Sequence, residues 1–310
     1  MTLRTLILAA SVATLAACSQ PASDATVNAT DTVMTDAPVE TTPEVMSEPV
    51  MSFDAAKLQA ALDAQDDAAK ARYDARNPME TLEFFGIAPG MAVGEALPGG
   101  GWYSKILLPY LGDEGRLVGV DYSIPMWGEF DFASPEFIES KKTWPATWIA
   151  DARGWTDTQA DIAAYTFGTL PQDGSLDAFL FIRALHNMSR FDATGNYMSD
   201  AITQVHGSLK SGGVVGVVQH AAADDADAAW ADGSAGYLRK PDVVAAFEAA
   251  GFEFVGESDV NANPLDNPTV DDIVWRLPPR LGTSADNAEL KAEMEAIGES
   301  NRMTLLFRKL

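Results

Sequence analysis

Short apolar runs that alternate with helical stretches constrain this chain more than any other feature. Residues 91–97, 116–121, 147–151, 176–182 and 214–219 read as successive strands. Residues 102–111 and about 198–209 read as helices between them. Strands apolar on both faces and divided by helices imply a parallel sheet covered on both sides. Residues 241–250 form a further expected helix, with Pro241 at its permissive first position. Residues 251–256 and 302–307 supply the closing strands. Ahead of the sheet, residues 53–73 are rich in Ala, Leu, Lys and Gln and predict a helix that ends before Asn77 and Pro78. Residues 81–85 predict a short helix closed by Gly86.

The chain has 310 residues, 47% of them apolar, which is enough for one large domain, expected over residues 53–310. A formal net charge of −24 disfavours nucleic acid, whose affinity comes largely from Lys and Arg displacing counterions at phosphates. The single cysteine excludes an intrachain disulfide framework and a multi-cysteine zinc site. It lies at Cys18, after a basic residue, Arg4, and an apolar run over residues 6–15 that is too short to span a membrane and has the proportions of a signal-peptide core. Leu15-Ala16-Ala17-Cys18 resembles the lipobox of bacterial lipoproteins. That resemblance implies a signal peptide over residues 1–17, lipidation of Cys18 and attachment to a membrane through that lipid. Ser19 after the cysteine resembles lipoproteins sorted to the outer membrane, which places the domain in the cell envelope, at the periplasmic face of that membrane. Residues 18–52 are acidic, lack Lys and Arg, and offer little to bury, so a disordered, extended tether is expected there.

The junction between the first strand and its helix reads Val93-Gly94-Glu95-Ala96-Leu97-Pro98-Gly99-Gly100-Gly101-Trp102. It resembles the cofactor loop of class I S-adenosylmethionine-dependent methyltransferases: Glu95 takes the acidic place, and Gly99 and Gly101 the second and third glycines. Leu97 stands where that family has its first glycine, a residue suited to close approach of backbone to ligand. Asp121 ends the second strand, where the family holds both ribose hydroxyls with an acid. Asp151 ends the expected third strand, the place that commonly meets the adenine amino group. Ligands of open parallel sheets gather beyond the carboxyl ends of the strands, although each acid taken alone also suits a helix cap or a solvated turn. The Pro-Gly-Gly-Gly-Trp-Tyr loop, Leu185-His186-Asn187 and Gln219-His220-Ala221 are similar to an uncharacterised bacterial group of predicted methyltransferases. The resemblance implies an α/β fold: a Rossmann-like sheet, mostly parallel with an antiparallel last strand, and helices on both faces. It implies S-adenosylmethionine as cofactor and a small-molecule acceptor as partner.

Methyl transfer needs alignment of nucleophile and methyl, and often removal of a proton. His186, just past the fourth strand, is the candidate general base, against an equal reading as a packed structural histidine. Asn187 either orients a substrate hydroxyl or caps the next helix. His220 is the second-choice base, and His206 is read as structural. A metal site built from His186, His220 and a carboxylate lacks any supporting ligand spacing, so no metal is expected. Arg183 meets either an anionic substrate or a structural carboxylate. The aromatic stretch over residues 122–145 reads as a long loop suited to a lid or to core filling, and residues 263–300 as an insertion over the site. Two rival functions remain. One is a non-catalytic envelope lipoprotein that uses this scaffold to bind a ligand or partner, because export separates the domain from cytoplasmic cofactor. The other, weaker, is a nicotinamide-dependent oxidoreductase, whose fingerprint the Gly99–Ser104 segment does not continue.

Overall fold

The computed structural model describes residues 51–310; the signal-like run, Cys18 and the tether up to residue 50 lie outside the described residues. Eight strands form one sheet: β1 Ala92–Ala96, β2 Arg116–Asp121, β3 Asp161–Thr166, β4 Leu176–Ile182, β5 Leu209–Ala222, β6 Leu238–Arg239, β7 Phe252–Ser258 and β8 Arg302–Lys309. The order is β3-β2-β1-β4-β5-β8-β7, with the short β6 paired to β5 off that path. Strands β3, β2, β1, β4 and β5 run parallel, whereas β8 is antiparallel to both β5 and β7. This is the expected Rossmann-like sheet, mostly parallel with an antiparallel last strand. Strand order reverses between β1 and β4, so their carboxyl ends open a crevice.

Four short helices precede the sheet: α1 Ala55–Asp63, α2 Asp67–Lys70, α3 Tyr73–Arg76 and α4 Pro78–Phe84. The single helix expected over residues 53–73 is therefore broken. Asp66 takes an extended conformation and its side chain accepts the Ala69 N–H, so it starts a new helix instead of continuing α1. Helix α5, Ser104–Leu111, follows β1. Between β2 and β3 lie α6 Ile124–Gly128 and α7 Pro135–Arg153. Past β4 come α8 Leu185–Arg190, α9 Asp192–Gly195 and α10 Tyr197–Ser208, then α11 Lys240–Ala249 and, within residues 263–300, α12 Ala288–Ile297.

Period-two alternation along the strands feeds two cores. Phe179, Phe181, Val215 and Val217 join one with residues of α10 and α11. Ala178, Leu180 and Val218 point into the other, against α1, α4, α5 and α7. Each Val, Leu or Phe among them contributes roughly 1.5–3 kcal/mol by leaving water.

Two expectations need correction. Residues 147–151 are not the third strand but part of α7, whose start is capped by the Ser134 side chain and whose first residue is Pro135. Trp144, Trp148 and Ala152, spaced four apart, form the stripe that α7 lays on the second core. The third strand is residues 161–166, a half-buried edge. Likewise residues 122–145 are not a long loop: α6 and the first half of α7 occupy most of them.

Candidate functional site

At the carboxyl end of β1, Glu95 sits level with Gly119 of β2 and Leu180 of β4. It is 3% exposed, and its Oε2 accepts a 2.6 Å hydrogen bond from Ser104 Oγ, the first residue of α5. Burial pushes its carboxyl up to about 7, against the opposing pull of the Ser104 bond. The turn between them is built from left-handed backbone: Leu97 at φ +48°, Gly99 at +55° and Gly101 at +77°. Leu97 thus takes a glycine-like conformation despite its side chain, anchored by its N–H on Val120 O at 2.7 Å. A Cβ at Gly101 would lie 2.5 Å from the Trp155 ring, so packing as well as conformation demands glycine there. Gly100 is different: nothing lies within 4 Å of where its Cβ would stand, and its backbone is left approachable.

Asp121 at the end of β2 is 1% exposed. Its Oδ1 accepts from Tyr122 N at 2.9 Å and its Oδ2 from Lys141 Nζ, also at 2.9 Å. Burial raises its carboxyl and Lys141 opposes that rise. Lys141 comes from α7 and lies 3.9 Å above the Trp127 ring. Asp151, by contrast, is exposed in the last turn of α7, not at a strand end. The end of β3 presents Thr166, paired with Asp121, so the adenine position expected for Asp151 loses its structural basis.

Beyond β4 the chain crosses toward β2. Tyr122 Oη donates to Ala184 O at 2.7 Å, and the Asn187 amide reaches that same Oη at 3.4 Å. His186, in the first turn of α8, is buried; its Nδ1 lies 3.4 Å from Gln219 Oε1. Gln219 Nε2 donates to Gly236 O at 3.1 Å, so its oxygen faces the imidazole and Nδ1 carries the proton. Burial pushes His186 down to about 4, which keeps it neutral near pH 7. The His220 ring stands 5.5 Å away, held by Ser300, and its burial also keeps it neutral. Trp275, from the expected insertion, closes over His186 at 5.9 Å. His206 packs edge-on to Phe252, away from this group. Among the described residues no three of His, Cys, Asp or Glu gather closely enough to hold a metal ion.

The structure also brings together residues that sequence reasoning left scattered. Glu299 accepts from Arg72 Nε at 2.8 Å and pairs with Arg76 Nε at 3.5 Å and Arg302 Nη1 at 3.4 Å. The Arg76 guanidinium lies 4.6 Å over the Trp102 ring. Arg183, at left-handed φ +57° and anchored by its N–H on Val218 O at 2.7 Å, completes the group. A cavity of about 450 Å³ opens between these arginines and the glycine turn, with Leu97, Gly99 and Gly100 in its wall. His186 does not line it. Arg183 was singled out in the sequence for its place after β4; positions 72, 76, 299 and 302 carried no shared signal.

No family model matches the chain, and no curated protein matches it. Among solved structures it is similar to the [4+2]-cyclase SpnF, at 18% identity and a TM-score of 0.47, over 76% of this chain and 80% of that one. It is similar to a SAM dependent methyltransferase from Aquifex aeolicus, at 13% identity and 0.46, over 83% and 100%. A Burkholderia thailandensis 1,6-didemethyltoxoflavin-N1-methyltransferase with bound S-adenosylhomocysteine gives 13% identity and 0.42, over 82% and 86%.

Proposed function

We propose that this protein binds S-adenosylmethionine at the carboxyl ends of β1 and β2 and transfers its methyl group to a small or medium organic acceptor. The observation that carries this reading is one juxtaposition at the switch point of the sheet: buried Glu95 and Asp121 flank a glycine turn whose Gly100 is free of packing demands. The donor set suits the cofactor. Each carboxylate oxygen of Asp121 keeps a lone pair beyond its Tyr122 and Lys141 bonds, available to a ribose hydroxyl. Glu95, poised near neutrality, gains from a cationic neighbour.

When bound, S-adenosylmethionine supplies a methyl group on a sulfonium, which leaves as a neutral thioether. The chain's part is positioning and proton management. Neutral His186 takes the proton released by an attacking hydroxyl or amine, and Asn187, held by Tyr122, orients that group. A second reading, a non-catalytic binder, is favoured by one feature: the Lys141 ammonium already occupies an oxygen of Asp121. Calorimetry of the full chain with S-adenosylmethionine and S-adenosylhomocysteine tests both. Absence of binding to either would end the cofactor reading.

We also propose attachment to the cell envelope through lipid on Cys18, supported by the Leu15-Ala16-Ala17-Cys18 run. Cys18→Ala should abolish palmitate labelling; unchanged labelling would remove this idea.

A further inference from the structure

The cavity beside the glycine turn is cationic in a chain that is acidic overall. Arg72, Arg76, Arg183 and Lys105 line it, with Asp66 the carboxylate among the lining residues. Arg302 stands behind, joined to the same Glu299. Four guanidinium groups against one buried carboxylate leave three positive charges unbalanced (4 − 1 = 3), while Lys105 and Asp66 offset each other. The whole chain carries −24. Such a cluster is costly to assemble. Burial and the neighbouring Arg183 lower Arg76 to about 10, and burial with nearby cations lowers Arg183 and Arg302 as well.

The state of two of these arginines points to a missing anion, Arg183 most directly. The Arg76 side chain is 7% exposed, and its buried Nε stands in an ion pair 3.5 Å from Glu299 Oε1 without completing a hydrogen bond. Arg183 forms no ion pair or side-chain hydrogen bond among the described residues, although it is held at the cavity wall by a strained backbone. A guanidinium fork matches the two oxygens of a carboxylate or phosphate.

We propose that this cavity receives the far end of the acceptor, away from the atom that His186 serves, and that this end carries an oxyanion group, a carboxylate or phosphate, gripped by Arg183 and Arg76. The name acceptor rests on the methyl-transfer reading; the anion site itself does not. The charge balance distinguishes the acceptor from the cofactor as the source of that anion. The amino-acid end of S-adenosylmethionine holds one ammonium and one carboxylate and is neutral, and its sulfonium adds a positive charge. Such a ligand adds no net negative charge to the three unbalanced cations, whereas an anionic acceptor offsets one or two of them and sits beside the methyl donor with favourable charge.

The test is calorimetry of the full chain at low ionic strength, titrated with inorganic phosphate and with malonate, with and without saturating S-adenosylhomocysteine. Saturable anion binding that survives S-adenosylhomocysteine is expected. Arg183→Gln should weaken it by about 10- to 150-fold, the loss of one charged hydrogen-bonding partner, with no fall in unfolding temperature. Should that variant fail to fold, Arg183→Lys keeps the charge and loses the fork, and the same comparison applies. Anions that compete with S-adenosylhomocysteine but not with 5′-methylthioadenosine, which lacks the amino-acid end, would assign the arginines to the cofactor and overturn the proposal. Binding of S-adenosylhomocysteine with no anion binding would overturn it too. Anion binding without S-adenosylhomocysteine binding would keep the anion site but end its role as an acceptor subsite, together with the methyl-transfer reading.

Discussion

Lys141 Nζ lies 2.9 Å from Asp121 Oδ2, and this ion pair ties α7 to the carboxyl end of β2. Both groups are largely buried, so the pair links the placement of a helix to the charge state of the carboxylate proposed to hold ribose. Lys141→Met should leave Asp121 buried without its cation and cost roughly 3–5 kcal/mol, the range for breaking one partner out of a buried pair. Urea unfolding measures this; an unchanged midpoint would mean that α7 is held by its tryptophan stripe alone.

Asp121→Asn keeps the shape at the end of β2 and removes the charge. S-adenosylhomocysteine affinity should fall by about 10- to 150-fold as the ribose hydroxyls lose a charged acceptor. Calorimetry showing the same affinity for wild type and variant would place the ligand elsewhere.

Glu95 couples stability to pH in one direction. Its folded value, about 7, lies above its unfolded value, so the folded state holds the extra proton between about 4.5 and 7 and stability falls as pH rises through that window. By pH 8 the loss amounts to about 3 kcal/mol. Glu95→Gln, which stays neutral, should therefore be more stable than wild type at pH 8 and little different at pH 4.5. Cofactor affinity in the wild type should in turn rise from pH 6 to 8, as the carboxylate forms. Equal stability of the two proteins at pH 8 would contradict this account.

His186 acts in the opposite sense. Its folded value, about 4, lies below its unfolded value, so the unfolded chain binds the proton first and stability is lost as pH falls from 6.5 toward 4. The opposing slope from Glu95 masks this in the wild type, and Glu95→Gln should reveal it. His186→Gln in that background should flatten the slope. If His186 is also the general base, the same substitution should lower single-turnover methyl transfer by about 10²- to 10⁴-fold while S-adenosylhomocysteine affinity holds. Full activity would move the base assignment to His220.

Gly101→Ala should destabilise the protein by roughly 1–3 kcal/mol, from a left-handed φ of +77° combined with a Cβ pressed into the Trp155 ring. Gly100→Ala, which meets nothing in the fold, should leave the thermal midpoint unchanged and weaken cofactor binding instead. A reversed pattern would show that the turn serves packing alone.

Local sequence determined the strands that bury both faces. β2 and β4 fall on the expected residues, because Leu117-Val118-Gly119-Val120 and Ala178-Phe179-Leu180-Phe181 are apolar whichever way each side chain points. The placement of Glu95 and Asp121 at the ends of such strands, and of Gly99 and Gly101 in the turn after β1, was legible for the same reason, because turn chemistry is local. Residues 147–151 misled because a five-residue apolar run does not distinguish a strand from one face of a helix. Tertiary packing decided the matter, since Trp148 needs a surface to cover and Gly119, lacking a Cβ, offers room for its ring. Displacing that run into α7 moved Asp151 to solvent and left the third strand to the weakly apolar residues 161–166. The arginine cluster was settled by the fold alone. Arg72 and Arg76 come from the helices before the sheet, Arg183 from the end of β4, and Glu299 and Arg302 from the entry to β8. Charge acts through space rather than along the chain, so only the sheet order, which sets β8 beside β5 and β5 beside β4, could gather these groups into one cluster, with Arg72, Arg76 and Arg183 on the cavity and Glu299 and Arg302 behind.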